Sequence, residues 1–114
     1  MTWDQFVAAC VPAPATVTVE AYEGSGAYGP VYAAPVDVGP CVVEDSIRLV
    51  RVQTQDAAGA EQVSSTTVYC PLATVAPPGS RVTLPSGRVA RVLAASRIEA
   101  HGHPLPEHLE LAVE

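Results

Sequence analysis

Short valine-rich segments, separated repeatedly by chain-breaking residues, constrain this sequence most. Its 114 residues include 11 prolines and 8 glycines. Because both residues interrupt regular structure, the elements between them must be short. The clearest segment, Thr16–Tyr22, alternates apolar and polar residues, which is the pattern of a strand with one buried face. The pattern therefore favours a small all-β fold.

Later segments repeat this strand pattern. Val36–Val52 is the longest apolar stretch, and its interruptions at Gly39-Pro40 and Glu44-Asp45 predict a bent or bulged strand. Further strands are predicted at Glu61–Cys70, Arg81–Leu84, Arg88–Ser96 and from Leu109 to Val113. The turn ending at Gly87 predicts a tight hairpin, since glycine supplies a positive φ. We expect five to six antiparallel strands in a small barrel or sandwich.

The first thirteen residues predict a short helix. Thr2 and Gln5 fit a capping box, and the apolar residues that follow at helical spacing are Trp3, Phe6, Val7 and Cys10. About two turns of helix are unstable alone, so the helix must pack on its own barrel or on a neighbouring subunit. The chain is predicted to be a single domain over residues 1–114, with a helical N-terminal segment at 1–13.

A tyrosine-bearing segment follows the first strand. Glu23–Pro35 contains three glycines and two prolines and is predicted to be a long, irregular loop. Loops of this length in compact domains are usually functional or disordered. Tyrosine is enriched at interfaces, so Tyr22, Tyr28 and Tyr32 indicate a segment that contacts a partner, with a mobile surface loop as the alternative. Trp3 and Phe6 of the helix are further candidates for an interface.

The charge balance excludes one class of function. The net charge is −6, and all six basic residues are arginine. A general nucleic-acid binder needs a positive surface, so this class is disfavoured, although DNA could pass near an acidic surface. No apolar run approaches the ~20 residues of a membrane span, and no signal peptide is recognisable, so we expect a soluble chain made in the cytoplasm. The three cysteines lack a CxxC spacing and are predicted to be reduced thiols.

Candidates for catalysis or metal binding are weak. His101, His103 and His108 could hold a metal with Glu99 or Glu107, but Gly102 and Pro104 favour an exposed turn. The neighbouring Glu44 and Asp45 would point to opposite faces of a strand, so they would not form a catalytic pair. The run Ser64–Thr67 lacks a nucleophile-elbow motif. We expect neither an enzyme nor a cofactor.

Several segments, taken in order, carry a resemblance. They are Val17–Tyr22, Ala27–Val31, Val38–Glu44, Pro78–Leu84, Gly87–Leu93 and Leu109–Val113. Their order and spacing resemble the head-tail joining proteins of long-tailed bacteriophages. Over about residues 14–114, the chain is similar in particular to the head-to-tail stopper, or head closure, proteins of phages that infect actinobacteria.

This resemblance implies a structural virion protein of the phage neck. Such a protein forms a homo-oligomeric ring of roughly six or twelve copies. The ring would lie below the portal or adaptor ring and above a tail terminator or tail tube, and viral DNA would pass through its lumen without sequence-specific binding. By position, the loop around Tyr28, Gly29 and Val31 and the hairpin tip Asp56–Ala60 would dock on other rings or close the channel.

An acidic subunit suits a DNA conduit, because carboxylates repel the phosphate backbone. We therefore expect the lumen to carry Glu44, Asp45, Asp56 and Glu61.

The sequence also allows other functions. A tail terminator is a close relative, whereas an adaptor is disfavoured because adaptors are mostly helical. A monomeric SH3-like barrel that binds a peptide or small ligand is an alternative of another class, and a small hydrolase would need a base and nucleophile that the sequence does not place.

Overall fold

The computed structural model describes residues 3–11, 13–53, 59–99 and 107–114. Within these ranges, one helix and eight strands follow in chain order: α1 (Trp3–Cys10), β1 (Ala15–Glu20), β2 (Tyr22–Gly26), β3 (Gly29–Tyr32), β4 (Val36–Arg51), β5 (Glu61–Cys70), β6 (Arg81–Thr83), β7 (Val89–Ile98) and β8 (His108–Val113). Six strands close an antiparallel barrel in the order β1-β4-β5-β8-β7-β6, and β2 and β3 form a separate sheet. The predicted small all-β barrel is confirmed.

Strand β1 closes the barrel because it pairs on both of its edges. Thr18 lies opposite Asp37 of β4 on one side and opposite Thr83 of β6 on the other. Val17 and Val19 are buried, as the alternation in the sequence predicts. The β6–β7 hairpin is also confirmed: Gly87 has a φ of +92°.

Strand β4 has two partners along its length. Its first part pairs with β1 and its later part with β5, and the register shifts between Asp45 and Arg48. This is the bulged strand that the interruptions in Val36–Val52 predict. A bulge bends a strand and increases its twist, so β4 can leave the barrel wall while it remains paired with β5.

Aliphatic side chains and two thiols form the barrel core. The fully buried members include Val68, Val82, Val92, Leu111 and Val113. Aromatic residues make up only 5% of the chain, so the interior depends on close packing of small branched side chains.

Leu93 of β7 is buried although it does not belong to the core cluster of the barrel. The register of β7 shifts between Val92 and Ala94, so Leu93 leaves the alternation of the main core yet is fully buried. The amide of Gln53 donates to the carbonyl of Leu93 at 2.8 Å, and the amide of Ala95 donates to Oε1 of Gln53 at 3.1 Å. The chain just after β4 is therefore hydrogen-bonded to β7 at Leu93 and Ala95.

Helix α1 packs on its own barrel, one of the two positions that its short length allows. Trp3 is buried, and its indole N–H donates to the carbonyl of Pro40 at 2.7 Å. The Trp3 ring also lies 5.3 Å from the ring of His108, measured between centroids. The predicted helix is confirmed over Trp3–Cys10; its proposed cap Thr2 lies outside the described residues.

The segment predicted as an irregular loop is instead largely regular. β2 and β3 pair with Tyr22 opposite Tyr32 and Gly26 opposite Gly29. Gly24 and Gly29 have φ values of +112° and +104°. The glycines that indicated irregularity in the sequence supply the left-handed backbone conformations that a tight, bulged hairpin needs, so the expectation of an irregular segment was wrong.

Candidate interaction surfaces

The β2–β3 hairpin stands outside the barrel and is fastened at its base. The amide of Tyr22 donates to Oγ of Ser80 at 2.9 Å, and the Ser80 hydroxyl donates to the carbonyl of Pro77 at 2.6 Å. On the other strand, the guanidinium carbon of Arg81 lies 4.0 Å from the centre of the Tyr32 ring. A two-stranded hairpin is marginally stable alone, so these contacts fix its position on the barrel.

The predicted tyrosine contacts divide into two groups. The rings of Tyr22 and Tyr32 lie 6.0 Å apart at the base and are half-buried, so they support the hairpin. Tyr28 is fully exposed in the turn, and Val31 is also exposed. The structure therefore brings Tyr28, Gly29 and Val31 to the distal part of the hairpin, where a partner can reach them.

A cleft of about 570 Å³ opens beside the base of the hairpin. We call it the base cleft; it is lined by Val19, Ala21, Tyr22, Glu23, Ala33, Ala34, Val36, Asp37, Val38, Gly39, Pro71, Ala73, Thr74, Val75 and Pro77. Most of these side chains are apolar, and the two carboxylates, Glu23 and Asp37, are exposed. Sequence reasoning missed the cleft because its walls come from two distant segments, residues 19–39 and 71–77.

A smaller aromatic pocket of about 270 Å³ lies under the helix, lined by Trp3, Phe6, Val11, Val42, Tyr69 and His108. Trp3 is buried by its own chain, so its contacts are intramolecular, whereas Phe6 remains partly exposed. Burial, and then the nearby carboxylate of Glu44, raise the pKa of the Tyr69 hydroxyl. Of the two helix residues predicted at an interface, Phe6 is the one that a partner can reach.

The predicted lumen carboxylates lie along the β4–β5 hairpin. Glu44 and Asp45 are exposed neighbours on β4, and Asp45 accepts a hydrogen bond from the Thr66 hydroxyl at 3.1 Å. Glu61 is exposed near the far end of the hairpin, opposite Arg51. Asp56 lies outside the described residues. Three of the four predicted carboxylates thus lie on the same pair of strands.

An exposed apolar stripe lies on the same hairpin and was missed from the sequence. Its members are Ile47, Leu49 and Val63, with exposed fractions of 83%, 61% and 54%. Ile47 and Leu49 are two residues apart on β4, and Val63 is the register partner of Leu49, so the three side chains share one face. We call this face the apolar stripe. Apolar residues in a predicted strand indicate burial, so the exposure of these three side chains could not be predicted from their pattern.

Groups that could perform chemistry are mostly engaged in structure. The buried Ser64 hydroxyl lies within hydrogen-bonding distance of the carbonyls of Thr66 and Val113, at 3.1 and 2.8 Å. Over the described ranges, no group of three or more His, Cys, Asp or Glu residues could hold a metal ion. His101 and His103 lie outside those ranges, and His108 contacts Trp3 and Tyr69 through its ring.

Two of the three cysteines are buried in the barrel. Cys41 and Cys70 donate to the carbonyls of Val38 and Leu109 at 3.3 and 3.4 Å, and Cys10 is exposed. The neighbouring Cys41 thiol, and then burial, raise the pKa of the Cys70 thiol. Because the thiolate is the reactive form, Cys70 is a poor nucleophile at neutral pH. All three cysteines are free, as predicted.

Comparison of the chain with protein-family models, with curated proteins and with solved structures returned no match. Within the part of the chain that the structure describes, no helix has the length and apolar character needed to cross a membrane.

Proposed function

We propose that this chain is a structural virion protein that forms a ring in the neck of a long-tailed bacteriophage. In this role it joins the portal or adaptor ring to the tail and closes the DNA channel, as a head-to-tail stopper does. The order of sequence segments that resembles stopper proteins supports the proposal. The six-stranded barrel gives the chain a compact body, and the β2–β3 hairpin forms a separate sheet beside it.

The observation that carries the proposal is the tyrosine hairpin β2–β3. It adds nothing to the closed barrel, yet the chain fastens its base with the Tyr22–Ser80 hydrogen bond and the Arg81–Tyr32 contact. Its turn presents Tyr28 fully to solvent. A rigidly positioned, exposed aromatic side chain is typical of a docking element, because tyrosine gives a large contact area at low entropic cost.

Charge supports a conduit rather than a DNA-binding surface. The net charge of −6 repels phosphates, and Glu44, Asp45 and Glu61 lie exposed along one hairpin. A ring that turned this hairpin inward would line its lumen with carboxylates. DNA could then slide through without the counterion-release contacts that hold nucleic acid to basic proteins.

Electron microscopy of the purified protein mixed with candidate portal, adaptor and tail rings tests this function. We expect a ring on the channel axis between the portal and the tail, with the tyrosine hairpin against an adjacent ring. A ring found at the tail end instead would favour a tail terminator. A chain that stays monomeric and binds none of these rings would contradict any role in the neck.

A monomeric SH3-like binding module is the second candidate, and the base cleft favours it. A volume of about 570 Å³ lies within the range of small-molecule and peptide sites, roughly 300–1,000 Å³. This reading predicts a monomer whose ligand shifts the resonances of Val36 and Val75 in the cleft. Sedimentation of the chain with the neck components separates the two functions, because only the ring protein changes its sedimentation when they are added.

A further inference from the structure

Two buried thiols lie next to each other on neighbouring strands of the barrel. The register of β4 with β5 pairs Val42 with Tyr69, and extending this register by one residue places Cys41 opposite Cys70. Both cysteines belong to the core cluster, with exposed fractions of 1% and 0%, so their side chains point to the same side of the sheet. The two thiol groups are in hydrogen-bonding contact inside the barrel.

The position of this pair suits a disulfide. Opposed residues on antiparallel strands have Cα atoms about 4.5–5.5 Å apart. Cysteines joined by a disulfide have Cα atoms roughly 4.4–6.8 Å apart, so the two ranges overlap. Cys41 and Cys70 could therefore be linked across β4 and β5 without a rearrangement of the strands.

The two thiols differ in acidity. The hydrogen bond with Cys70 lowers the pKa of Cys41 against the effect of burial, and a hydrogen bond with the backbone of Val17 adds to the lowering. The Cys70 thiol has its pKa raised by the neighbouring Cys41 and by burial. Because the thiolate is the form that attacks an oxidant, Cys41 is the nucleophile of the pair and Cys70 is its resolving thiol.

The base cleft approaches the pair from outside the barrel. Cys41 donates to the carbonyl of Val38 at 3.3 Å, and Val38 lines the cleft. The side chain of Thr74, which also lines the cleft, forms a hydrogen bond with Cys70. One cleft residue thus contacts each thiol, so a small molecule in the cleft lies close to both sulfur atoms.

We propose that Cys41 and Cys70 form a redox switch, which hydrogen peroxide entering from the base cleft converts to a disulfide. The Cys41 thiolate attacks one peroxide oxygen, the O–O bond breaks, and the hydroxide that leaves takes up the proton lost by the Cys41 thiol. Cys41 is then a sulfenic acid. The Cys70 sulfur attacks the Cys41 sulfur, the S–O bond breaks, and the oxygen leaves as water with its own proton and the proton of Cys70. Two thiols are oxidised, and one peroxide is reduced to two waters.

The first step also prepares the second. The charge of the Cys41 thiolate is among the causes that raise the pKa of Cys70, and this charge is lost when the sulfenic acid forms. Cys70 is therefore a better nucleophile after Cys41 has reacted than before. A sulfenic acid beside a thiol condenses to a disulfide, so the pair favours this product over further oxidation of Cys41.

The disulfide would close the β4–β5 hairpin at its base. Cys41 is the residue at which β4 changes partner: it pairs with Ala15 of β1, and the next residue, Val42, pairs with Tyr69 of β5. The link encloses residues 42–69 and lowers the conformational entropy of the unfolded chain. The barrel is thus reduced in a reducing compartment and cross-linked in an oxidising one. This switch goes beyond the proposed place in the neck and does not depend on it.

Oxidation of the Cys10→Ser protein tests the switch, because this substitution removes the exposed thiol and leaves the buried pair. After treatment with hydrogen peroxide, we expect the intact mass to fall by two hydrogen atoms and peptide mapping to link Cys41 to Cys70. The midpoint of thermal unfolding should rise by about 5–15 °C, and reduction with dithiothreitol should reverse these changes.

Cys70→Ala in the same background is the control, because Cys41 then has no resolving thiol. Peroxide should add oxygen to this variant and should not raise its unfolding midpoint. In the original chain, oxidation of exposed Cys10 verifies that the peroxide is active. Free Cys41 and Cys70 under conditions that oxidise Cys10, or addition of oxygen to the Cys10→Ser protein without a link, overturn the switch. Both outcomes are read without Cys70→Ala, so they hold even if that variant does not fold.

The role of the cleft is tested by obstructing it. Val75 is exposed at 71% on the cleft wall, and Val89 is a valine exposed at 57% outside the cleft. In the Cys10→Ser background, Val75→Trp should at least halve the rate of disulfide formation, because its indole fills part of the cleft, whereas Val89→Trp should leave the rate unchanged. Equal rates in the two variants would reject the cleft as the route of the oxidant.

Discussion

Individual residues, far more than composition, decide how the tyrosine hairpin meets the barrel. Gly79 has a φ of +96°, and a Cβ placed there would lie 3.1 Å from Cδ2 of Tyr22. Glycine is therefore required at this position for two reasons: the backbone has a positive φ, and the Tyr22 ring leaves no room for a Cβ. Oγ of the adjacent Ser80 accepts a hydrogen bond from the backbone amide of Tyr22, so two successive residues set the angle of the hairpin.

Substitution of Gly79 separates these two requirements. Gly79→Ala should destabilise the chain by about 1–3 kcal/mol, through the strained φ and the displaced Tyr22 ring. Gly87 has a nearly equal φ of +92° with nothing within 4 Å of its Cβ position, so Gly87→Ala incurs the backbone strain alone. Thermal unfolding of both variants measures the difference between their losses of stability, which is the contribution of the contact with Tyr22. Equal destabilisation would show that the contact with Tyr22 contributes nothing.

At the scale of elements, alternation and turn chemistry were readable from the sequence. The valines of β1 and the turn at Gly87 were predicted correctly because each depends on local spacing. The β2–β3 hairpin was not, because its regularity depends on glycines with positive φ and on fastening by Ser80 and Arg81, which are distant in sequence. The base cleft was missed because its walls come from two distant segments, and the apolar stripe was missed because it depends on which face of the bulged strand β4 is exposed.

The different burial of Tyr22 and Tyr28 in the β2–β3 hairpin predicts different roles for the two side chains. Tyr22→Ala should lower stability by about 1–3 kcal/mol, because it removes a half-buried ring that packs on Gly79 and Tyr32. Tyr28→Ala should change stability by less than about 0.5 kcal/mol, since Tyr28 is fully exposed. If the hairpin docks on a neighbouring ring, Tyr28→Ala should nevertheless weaken neck assembly.

Thermal unfolding and co-sedimentation with the neck components measure the two effects separately. Val89→Ala is a suitable control for Tyr28→Ala, because it also truncates an exposed side chain but lies on the barrel. If Tyr28→Ala affects neck assembly no more than Val89→Ala does, the hairpin turn is not a docking site. A large loss of stability in Tyr28→Ala would instead show that the Tyr28 side chain supports the fold.

For the whole molecule, the distribution of charge matters more than its sum. The net charge of −6 is evident from the sequence, but its functional meaning depends on which face of a ring the carboxylates occupy. Glu44 and Glu61 are both exposed on the β4–β5 hairpin, at its middle and near its far end. A ring that turns this hairpin inward would place both residues along the path of the DNA.

Charge reversal tests this placement. The double variant Glu44→Arg and Glu61→Arg should convert a repelling lumen into one that retains DNA, because a ring repeats every substitution in each copy. The pair Asp4→Arg and Glu99→Arg changes the net charge equally, from −6 to −2, at exposed positions of the helix and of the chain after β7. Both variants are compared as assembled rings for retention of a linear duplex across a salt series.

If the hairpin lines the lumen, only the Glu44 and Glu61 variant should retain the duplex, and retention should fall steeply with salt as counterion release requires. Equal retention by the two variants would mean that net charge alone governs the interaction, and the carboxylates would then lie on no special face. The comparison is informative in either direction, because the two variants carry the same net charge at different positions.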